Sequence, residues 1–205
     1  MELLIATTNS GKVREVRGIL GTEGFDIIGL DEFSSISVPE ETGATFEENA
    51  LLKARHYYQI TGKVTIADDS GLEVAALGGA PGVKSARYAG PGASDRDRVR
   101  KLLTELDGVP DSKRAARFVC AAALVWSAGE QVFRGEVAGS ITAEPSGSGG
   151  FGFDPVFFYP LLGKTFAQLS AAEKSSVSHR GIALRSLAKW IREKGLPFIE
   201  GPVVK

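Results

Sequence analysis

Two adjacent carboxylates, Asp68 and Asp69, directly follow the apolar run at residues 64–67. The run predicts a buried strand, and two carboxylates at the end of such a strand repel each other and lose hydration. A divalent cation would offset both costs, and a small set of oxygen ligands completed by water suits Mg²⁺. Because side chains alternate along a strand, we expect only one of the two to face a given side. A solvated turn is the alternative, since residues 68–71 also have the composition that turns prefer.

A first lysine, Lys12, follows a predicted strand over residues 3–6 and a polar turn, and it begins a predicted helix. The positive end of the helix dipole disfavours a cation there, whereas a bound anion would be held by the helix terminus and the lysine together. The segment is therefore a candidate phosphate site, although it lacks the glycine spacing of a P-loop. An exposed lysine after a capping serine, Ser10, is the alternative.

A second lysine, Lys53, lies on the apolar stripe of a helix predicted over residues 45–60, together with Phe46, Ala50 and Tyr57. An ammonium group delivered beside a phosphate would explain this position. The alternative is that the aliphatic part of the Lys53 side chain lies along the apolar face and carries the ammonium group to water. Glu40 and Glu41, in the loop before this helix, could supply a further metal oxygen or be solvated loop charges.

Two segments near the C-terminal end have residues suited to a nucleoside. Residues 147–155 are rich in glycine, which lets the backbone approach a ligand closely, and they contain Phe151 and Phe153, which could stack on a base. Ser178 begins the last predicted helix, and His179 lies on its apolar face near this end, where the dipole favours a neutral imidazole. The alternatives are a flexible loop and a core histidine.

Composition excludes several classes of protein. The chain has 205 residues and a formal net charge of −1, so no overall field favours nucleic acid or an anionic membrane. One cysteine, Cys120, and two histidines exclude an internal disulfide and make a Cys/His zinc site untenable. No apolar run approaches the ~20 residues of a membrane span, and the N-terminal segment does not resemble a signal peptide. We therefore expect a cytoplasmic protein.

The order of predicted elements favours an α/β fold. A strand, a helix and a second strand over residues 25–30 open the chain, which indicates at least some parallel pairing. Thr45 and Glu48 have the spacing of a capping box. Two β-rich runs, 117–127 and 131–142, predict a hairpin. We expect one domain over residues 1–205 with an elongated mixed sheet and flanking helices, in two lobes whose boundary the composition does not reveal.

Several blocks in the same order resemble the inosine triphosphate pyrophosphatase family in its bacterial branch. They are Thr7-Thr8-Asn9-Ser10-Gly11-Lys12, Glu40-Glu41-Thr42-Gly43, Phe46-Glu47-Glu48-Asn49-Ala50, Ile66-Ala67-Asp68-Asp69-Ser70-Gly71-Leu72, Gly82-Val83-Lys84-Ser85-Ala86-Arg87-Tyr88, Gly150-Phe151-Gly152-Phe153-Asp154-Pro155, Glu173-Lys174-Ser175 and Ser178-His179-Arg180-Gly181. The resemblance implies two α/β lobes around an active-site cleft and a homodimer. It also implies hydrolysis of dITP, ITP and XTP between the α- and β-phosphates, with Mg²⁺ as cofactor and Mn²⁺ as a substitute.

The resemblance assigns roles residue by residue. It implies that Asp69 is the proton acceptor and a metal ligand, that Glu40 is the second metal ligand with Asp68 as an alternative, and that Ser70 touches the substrate. The triphosphate would be held by Lys53 and by Thr7, Thr8, Asn9, Ser10, Gly11 and Lys12. The nucleoside pocket would be built by Phe151, Gly152, Phe153, Asp154, Lys174, His179 and Arg180.

Two other functions remain open at this stage. A Maf-like nucleotide pyrophosphatase acting on pyrimidine or modified nucleotides would share the fold and the reaction, but the Ser-His-Arg block and the Phe-Gly-Phe-Asp loop argue against it. A nucleotide sensor without turnover would need a damaged set of carboxylates, whereas Glu40, Asp68 and Asp69 are all present.

Overall fold

Seven strands and five α-helices make up the regular structure of the computed structural model, which describes residues 1–33 and 36–195. The strands are β1 (Glu2–Ile5), β2 (Asp26–Gly29), β3 (Thr65–Val74), β4 (Ala115–Trp126), β5 (Gly129–Ile141), β6 (Phe157–Tyr159) and β7 (Lys164–Thr165). The helices are α1 (Ser10–Leu20), α2 (Phe46–Thr61), α3 (Asp95–Glu105), α4 (Ala171–Val177) and α5 (His179–Lys194). No helix within the described ranges combines the length and the apolar character needed to cross a bilayer.

The strands form one mixed sheet in the order β2-β1-β3-β4-β5-β6-β7. Strand β1 pairs in parallel with both β2 and β3, while β6 pairs antiparallel with β5 and β7. The predicted strand-helix-strand opening is confirmed as β1, α1 and β2, because a parallel pair needs a crossover connection. The predicted α/β class with a mixed sheet is confirmed as well.

The chain divides into two compact units that interleave along the sequence. Unit 1 contains the described residues of Met1–Asp69, Cys120–Gly135 and Arg180–Lys205, and unit 2 contains Ser70–Val119 and Glu136–His179. Aliphatic residues from all three segments of unit 1 form its core, among them Leu3, Val16, Ile66, Leu124, Leu184 and Leu187. In unit 2 an aromatic cluster contains Phe118, Phe157, Tyr159 and Phe166.

Helix α2, which carries Lys53, has the ends that its sequence predicts. The hydroxyl of Thr45 accepts the amide of Glu48 at 3.1 Å, and the Glu48 carboxylate accepts the amide of Thr45 at 3.2 Å, so the capping box is confirmed. The helix ends at Gly62, whose φ of 66° is the left-handed conformation that glycine adopts without a steric cost.

The path of β3 differs from the prediction, and the cap of α1 differs from the alternative that was considered for Lys12. Strand β3 does not end before the aspartates but continues through them to Val74, because both carboxylates are buried and bound by cationic side chains instead of water. Helix α1 is capped by Asn9 rather than by Ser10, since the Asn9 side chain accepts the amide of Lys12 at 3.1 Å.

Candidate active site

Asp68 and Asp69 point in different directions from the same strand. Asp68 forms salt bridges with Lys12 and Arg180, whereas Asp69 forms one with Lys53. This separation confirms the alternation that we expected along an extended strand. The two carboxylates therefore belong to two different local networks.

Both oxygens of Asp69 are held. Oδ1 accepts a hydrogen bond from Lys53 Nζ at 3.1 Å, and Oδ2 accepts one from Asn49 Nδ2 at 3.3 Å. Lys53 Nζ also contacts Glu41 Oε1 at 2.7 Å, so one ammonium group joins two carboxylates. Because Asn49 and Lys53 are one turn apart on α2, the helix presents both donors to the strand together.

The loop before α2 is fitted closely around Asn49. Its Oδ1 accepts the amide of Gly43 at 2.8 Å, and its Nδ2 contacts the carbonyl of the same glycine at 3.4 Å. A Cβ atom at Gly43 would lie 2.7 Å from Asn49 Oδ1 and 2.7 Å from Glu48 Cβ, so only glycine allows this approach. The loop that carries Glu41 is thereby tied to the residue that orients Asp69.

Burial and charge act in opposite directions in this network. Burial raises the pKa of Asp69 above its ordinary value, and the attraction of Lys53 and Lys12 opposes but does not cancel that effect. Burial acts to lower the pKa of Lys53, but the carboxylates Asp69, Asp68 and Glu41 outweigh it, so the Lys53 pKa is raised. Lys53 is therefore a fixed positive charge beside a carboxylate that takes up a proton more readily than a solvated aspartate.

Asp68 forms the second network. Its Oδ2 lies 3.0 Å from Lys12 Nζ and accepts hydrogen bonds from Arg180 Nε and Nη2 at 3.2 and 3.0 Å. Glu15 binds Nη1 of the same guanidinium, and the Cys120 thiol lies 3.9 Å from Asp68. The side chains of Asp68 and Arg180 are 0% and 1% exposed, which makes this a buried, charge-balanced group.

The pKa of Asp68 follows from these partners. Burial by itself would raise it, but Lys12, Arg180 and Lys53 hold the pKa well below its ordinary range. The pKa of Arg180 is raised by Asp68 and Glu15, which outweigh its own burial. Asp68 therefore stays ionised and holds Lys12 in place, which distinguishes it from Asp69.

The predicted phosphate-binding segment lies at the start of α1. Three of its hydroxyl residues, Thr7, Thr8 and Ser10, line an open cavity of about 830 Å³ together with Arg14 and Arg17. Asn9 serves as the helix cap, Gly11 is half-buried, and the Lys12 ammonium is bound by the side chain and the carbonyl of Asp68. Hydroxyl groups at the N-terminus of α1 and two arginines farther along the helix thus line one cavity, and a helix N-terminus is suited to anions.

Unit 2 contains the predicted nucleoside-binding residues other than Arg180. Asp154 accepts the amide of Phe151 at 2.8 Å and also binds the buried ammonium of Lys174. Lys174 Nζ lies 4.7 Å from the centre of the half-buried Phe151 ring, a cation–π contact. Ser70, the residue after Asp69, is half-buried in β3 and belongs to this unit.

The other aromatic residues of unit 2 pack inward. The ring of Phe153 is 4% exposed and meets Tyr88 edge-on at 6.3 Å between centroids. The His179 imidazole is 5% exposed and stacks on Phe118, with 4.6 Å between centroids and 10° between planes. Of the aromatic rings predicted for a base, the structure leaves Phe151 the most accessible.

A model of the Ham1 family matches residues 3–190, which is most of the chain. The chain belongs to the Ham1 family. Among Ham1 relatives, it is 49% identical over 195 residues to the dITP/XTP pyrophosphatase of Yersinia pestis, covering 94% of this chain and 98% of that protein.

Two solved Ham1 structures share the fold. The Staphylococcus aureus Ham1 protein matches with a TM-score of 0.84 and 42% identity, over 95% of this chain and 100% of that one. A HAM1 protein from Coxiella burnetii matches with a TM-score of 0.85 and 43% identity, over 94% and 99% of the two chains. The predicted family and its α/β fold are thereby confirmed.

The carboxylates that contact Lys53 are the candidate metal ligands of this Ham1 chain. Within residues 1–33 and 36–195, no three acidic, histidine or cysteine side chains are close enough to form a metal site by themselves. Mg²⁺ usually takes one or two protein carboxylates and completes its shell with water and phosphate oxygens. Asp69 and Glu41, joined through Lys53, supply such a pair of oxygen donors.

Several residues of these networks were missed or assigned differently from the sequence. Glu41, not the exposed Glu40, contacts Lys53, although both stand in the block that carries the resemblance. Asn49 also belongs to one of the sequence blocks that resemble the family, but only the structure shows its contact with Asp69. Glu15 lies in the second turn of α1 and Asp95 in the first turn of α3, and neither carries a further local signal in the sequence.

Proposed function

We propose that this Ham1 protein hydrolyses purine nucleoside triphosphates with deaminated bases, namely dITP, ITP, XTP and dXTP, to the monophosphate and pyrophosphate. Removal of these nucleotides would keep them out of DNA and RNA. The single observation that carries the proposal is the Asp69 carboxylate, held by Lys53 and Asn49 beside Glu41. The name of the Yersinia pestis relative, a dITP/XTP pyrophosphatase at 49% identity, supports the same substrate class.

In the proposed reaction, Asp69 orients a water molecule and accepts one of its protons. The water oxygen forms a bond to the α-phosphorus, the bond from that phosphorus to the α,β-bridging oxygen breaks, and pyrophosphate leaves with the bonding electron pair. Lys53 and Lys12 place two positive charges where the triphosphate gathers negative charge. Lys12 is held for this task by Asp68.

Asp69 is the proposed ligand of a Mg²⁺ ion, with Mn²⁺ as a substitute. When bound, the metal would neutralise charge on the phosphate oxygens. The resemblance gives Glu40 as the second ligand, whereas the contact with Lys53 favours Glu41. Variants of these two adjacent residues distinguish the two assignments. We expect Glu41→Gln to raise the Mg²⁺ concentration for half-maximal activity more than Glu40→Gln does. A larger shift in Glu40→Gln would support the assignment from the resemblance.

For the nucleoside, we propose that Phe151 stacks on the base and that donors nearby favour a 6-oxo purine over adenine. Hypoxanthine and xanthine have an acceptor where adenine has an amino donor, so a donor gains a bond only with the former. Lys174, whose ammonium lies 4.7 Å from the Phe151 ring centre, is a donor of this kind. His179 and Arg180 complete the proposed set.

We also propose that the protein acts in the cytoplasm as a homodimer. Light scattering would test the assembly directly: the chain mass is 21.7 kDa, and a dimer gives twice that value. A mass equal to one chain at working concentration would contradict it. Fractionation of cells that express the protein would test the compartment.

The reaction is tested by measuring pyrophosphate release from dITP with Mg²⁺ for the wild type and for Asp69→Asn. We expect the variant to lose a factor of about 10² to 10⁴ in kcat, the usual range for a general base. Thermal unfolding of both proteins tests whether the variant keeps the wild-type fold. Near-normal turnover by a folded Asp69→Asn protein would reject Asp69 as the proton acceptor.

The same assay distinguishes the enzyme from a sensor. A sensor would bind ITP tightly in equilibrium dialysis and release no pyrophosphate. We expect turnover by the wild type, its loss on addition of EDTA and its return with excess Mg²⁺. Activity that survives thorough chelation would contradict the proposed use of a divalent cation. A panel that includes pyrimidine triphosphates tests the Maf-like alternative.

A further inference from the structure

We propose that Asp95 is a positioning residue that fixes the loop of residues 150–154 and, through it, the ring of Phe151. This inference rests on the proposed function, because it assigns Asp95 to the recognition of the nucleoside. Asp95 belongs to none of the sequence blocks that indicated the substrate. It lies 57 positions from the loop and is the first residue of α3.

The contact between Asp95 and the loop is direct. Asp95 Oδ2 accepts the backbone amide of Gly152 at 2.7 Å. Gly152 has a φ of 62°, a left-handed conformation in which residues with side chains are strained. The Asp95 carboxylate therefore restrains Gly152, a residue whose backbone would otherwise be free to adopt many conformations.

Asp95 is itself held from the opposite side. Arg98 binds its other oxygen, and Arg98 Nη1 donates to the carbonyls of Ala86 and Ala93 at 2.9 and 2.7 Å. The guanidinium thus ties Asp95 to two stretches of backbone before α3. Because Arg98 holds the Asp95 carboxylate in place, the carboxylate fixes the position of the Gly152 amide that it accepts.

Phe151 is then fixed at its own amide and at the next one. Asp154 Oδ2 accepts the amide of Phe151 at 2.8 Å, and Asp95 accepts the amide of Gly152. A Cβ at Gly150 would lie 2.0 Å from Asp154 Oδ2, so the chain passes that carboxylate as closely as glycine allows. Two carboxylates, one on α3 and one in the loop itself, define where the backbone turns and where the ring of Phe151 lies.

The consequence concerns binding more than chemistry. Loss of the Asp95 contact leaves Asp154, Lys174 and the unit 1 carboxylates unchanged, but it frees the backbone on the C-terminal side of Phe151. The ring then has to be ordered when the substrate binds, and that ordering cost weakens binding. Hence KM rises while kcat stays close to the wild-type value.

The test compares Asp95→Ala with Asp97→Ala, two changes in the first turn of the same helix. Asp97 forms the capping box with Ser94, whereas Asp95 accepts the amide of Gly152, so the Asp97 variant reports what damage to the start of α3 does by itself. We expect Asp95→Ala to raise KM for dITP roughly tenfold, the loss of one hydrogen bond to a charged acceptor, with kcat within twofold. Asp95→Asn, which retains an acceptor oxygen, should recover most of the loss.

Amide hydrogen exchange of the segment 150–154 gives a second readout that does not depend on turnover. Asp95→Ala should accelerate exchange there, and Asp97→Ala should not. Equal KM values in Asp95→Ala and the wild type, or parallel changes in both alanine variants, would overturn the inference. If the wild type fails to hydrolyse dITP, the proposed function fails, and the exchange experiment still decides whether Asp95 fixes the loop.

Discussion

Asp68 and Asp69 have the same side chain and adjacent positions, but different residues surround them. Asp68 is enclosed with Lys12 and Arg180, which keep it ionised, whereas Asp69 has one cation and one amide at its two oxygens. A carboxylate that must take up a proton is better served by the second environment. A carboxylate that must hold two cations at fixed places is better served by the first.

Replacement of Asp68 should therefore affect stability first. In Asp68→Asn, Lys12 and Arg180 lose the negative charge that they share, and removal of one partner from a buried ion pair costs about 3–5 kcal/mol. Urea unfolding followed by circular dichroism measures the difference. Asp69→Asn is the matched control and should lose less, because Asp69 forms a salt bridge with Lys53 and a hydrogen bond with the neutral Asn49, whereas Asp68 forms salt bridges with two cations. Equal stability of Asp68→Asn and the wild type would contradict the structural role.

For individual residues, the sequence indicated which side chains are unusual in their local context better than it indicated which residues contact each other. Lys12 and Lys53 stood out because local rules disfavour them, and both do lie beside carboxylates. Their partners could not be derived, since Arg180 meets Asp68 across 112 positions of sequence. The distinction between Asp68 and Asp69 rested on the family resemblance, and their separate partners now give that distinction a physical basis.

Among the elements, α2 has the largest share in the candidate site because it presents Asn49 and Lys53 to Asp69. Its start is fixed by the capping box of Thr45 and Glu48, and Glu48 also accepts the amide of Ala44 at 2.7 Å. The cap therefore secures both the helix and the loop that leads to it.

Thr45→Ala should lower the free energy of unfolding by about 1 kcal/mol, the usual cost of losing a capping side chain. Ser94→Ala removes the equivalent cap from α3 and should cost a similar amount. Only Thr45→Ala should also lower kcat for dITP, because only α2 carries donors to Asp69, whereas α3 carries Asp95, whose proposed effect is on KM. Denaturant unfolding and steady-state kinetics on both variants check this expectation. Equal activity in the two variants would show that the cap does not influence the site.

The elements themselves were predictable where local patterns are strong. The opening β1, α1 and β2 unit and the capping box of α2 follow from hydrophobic spacing and cap residues. The path of β3 does not, because Asp-Asp-Ser-Gly is good turn chemistry unless cations and a buried sheet keep it extended. The short strands β6 and β7 and the helix α4 lack the length at which periodicity becomes informative.

For the whole molecule, Cys120 can report on global stability. It is fully buried in the unit 1 core, and burial raises the pKa of its thiol to about 12, with the Asp68 carboxylate adding to the shift. The thiolate, which is the reactive form, is therefore scarce in the folded protein at pH 8.

We expect a thiol reagent such as DTNB to react negligibly with the native protein and with one thiol per chain after unfolding, since the chain has a single cysteine. The reaction rate in increasing urea should follow the unfolding transition measured by circular dichroism. Rapid labelling in native buffer would mean that the core opens locally around β4.

The division of the chain into two interleaved units has a consequence for any attempt to take the protein apart. Unit 1 is assembled from three stretches and unit 2 from two, and their boundaries fall within β3, β4 and β5 and at the start of α5. A stop codon after residue 69 would remove Leu124, Leu184 and Leu187 from the core that Leu3 and Ile66 need. Neither unit can therefore be expressed as a continuous gene fragment, and a dissection would require circular permutation or a designed linker.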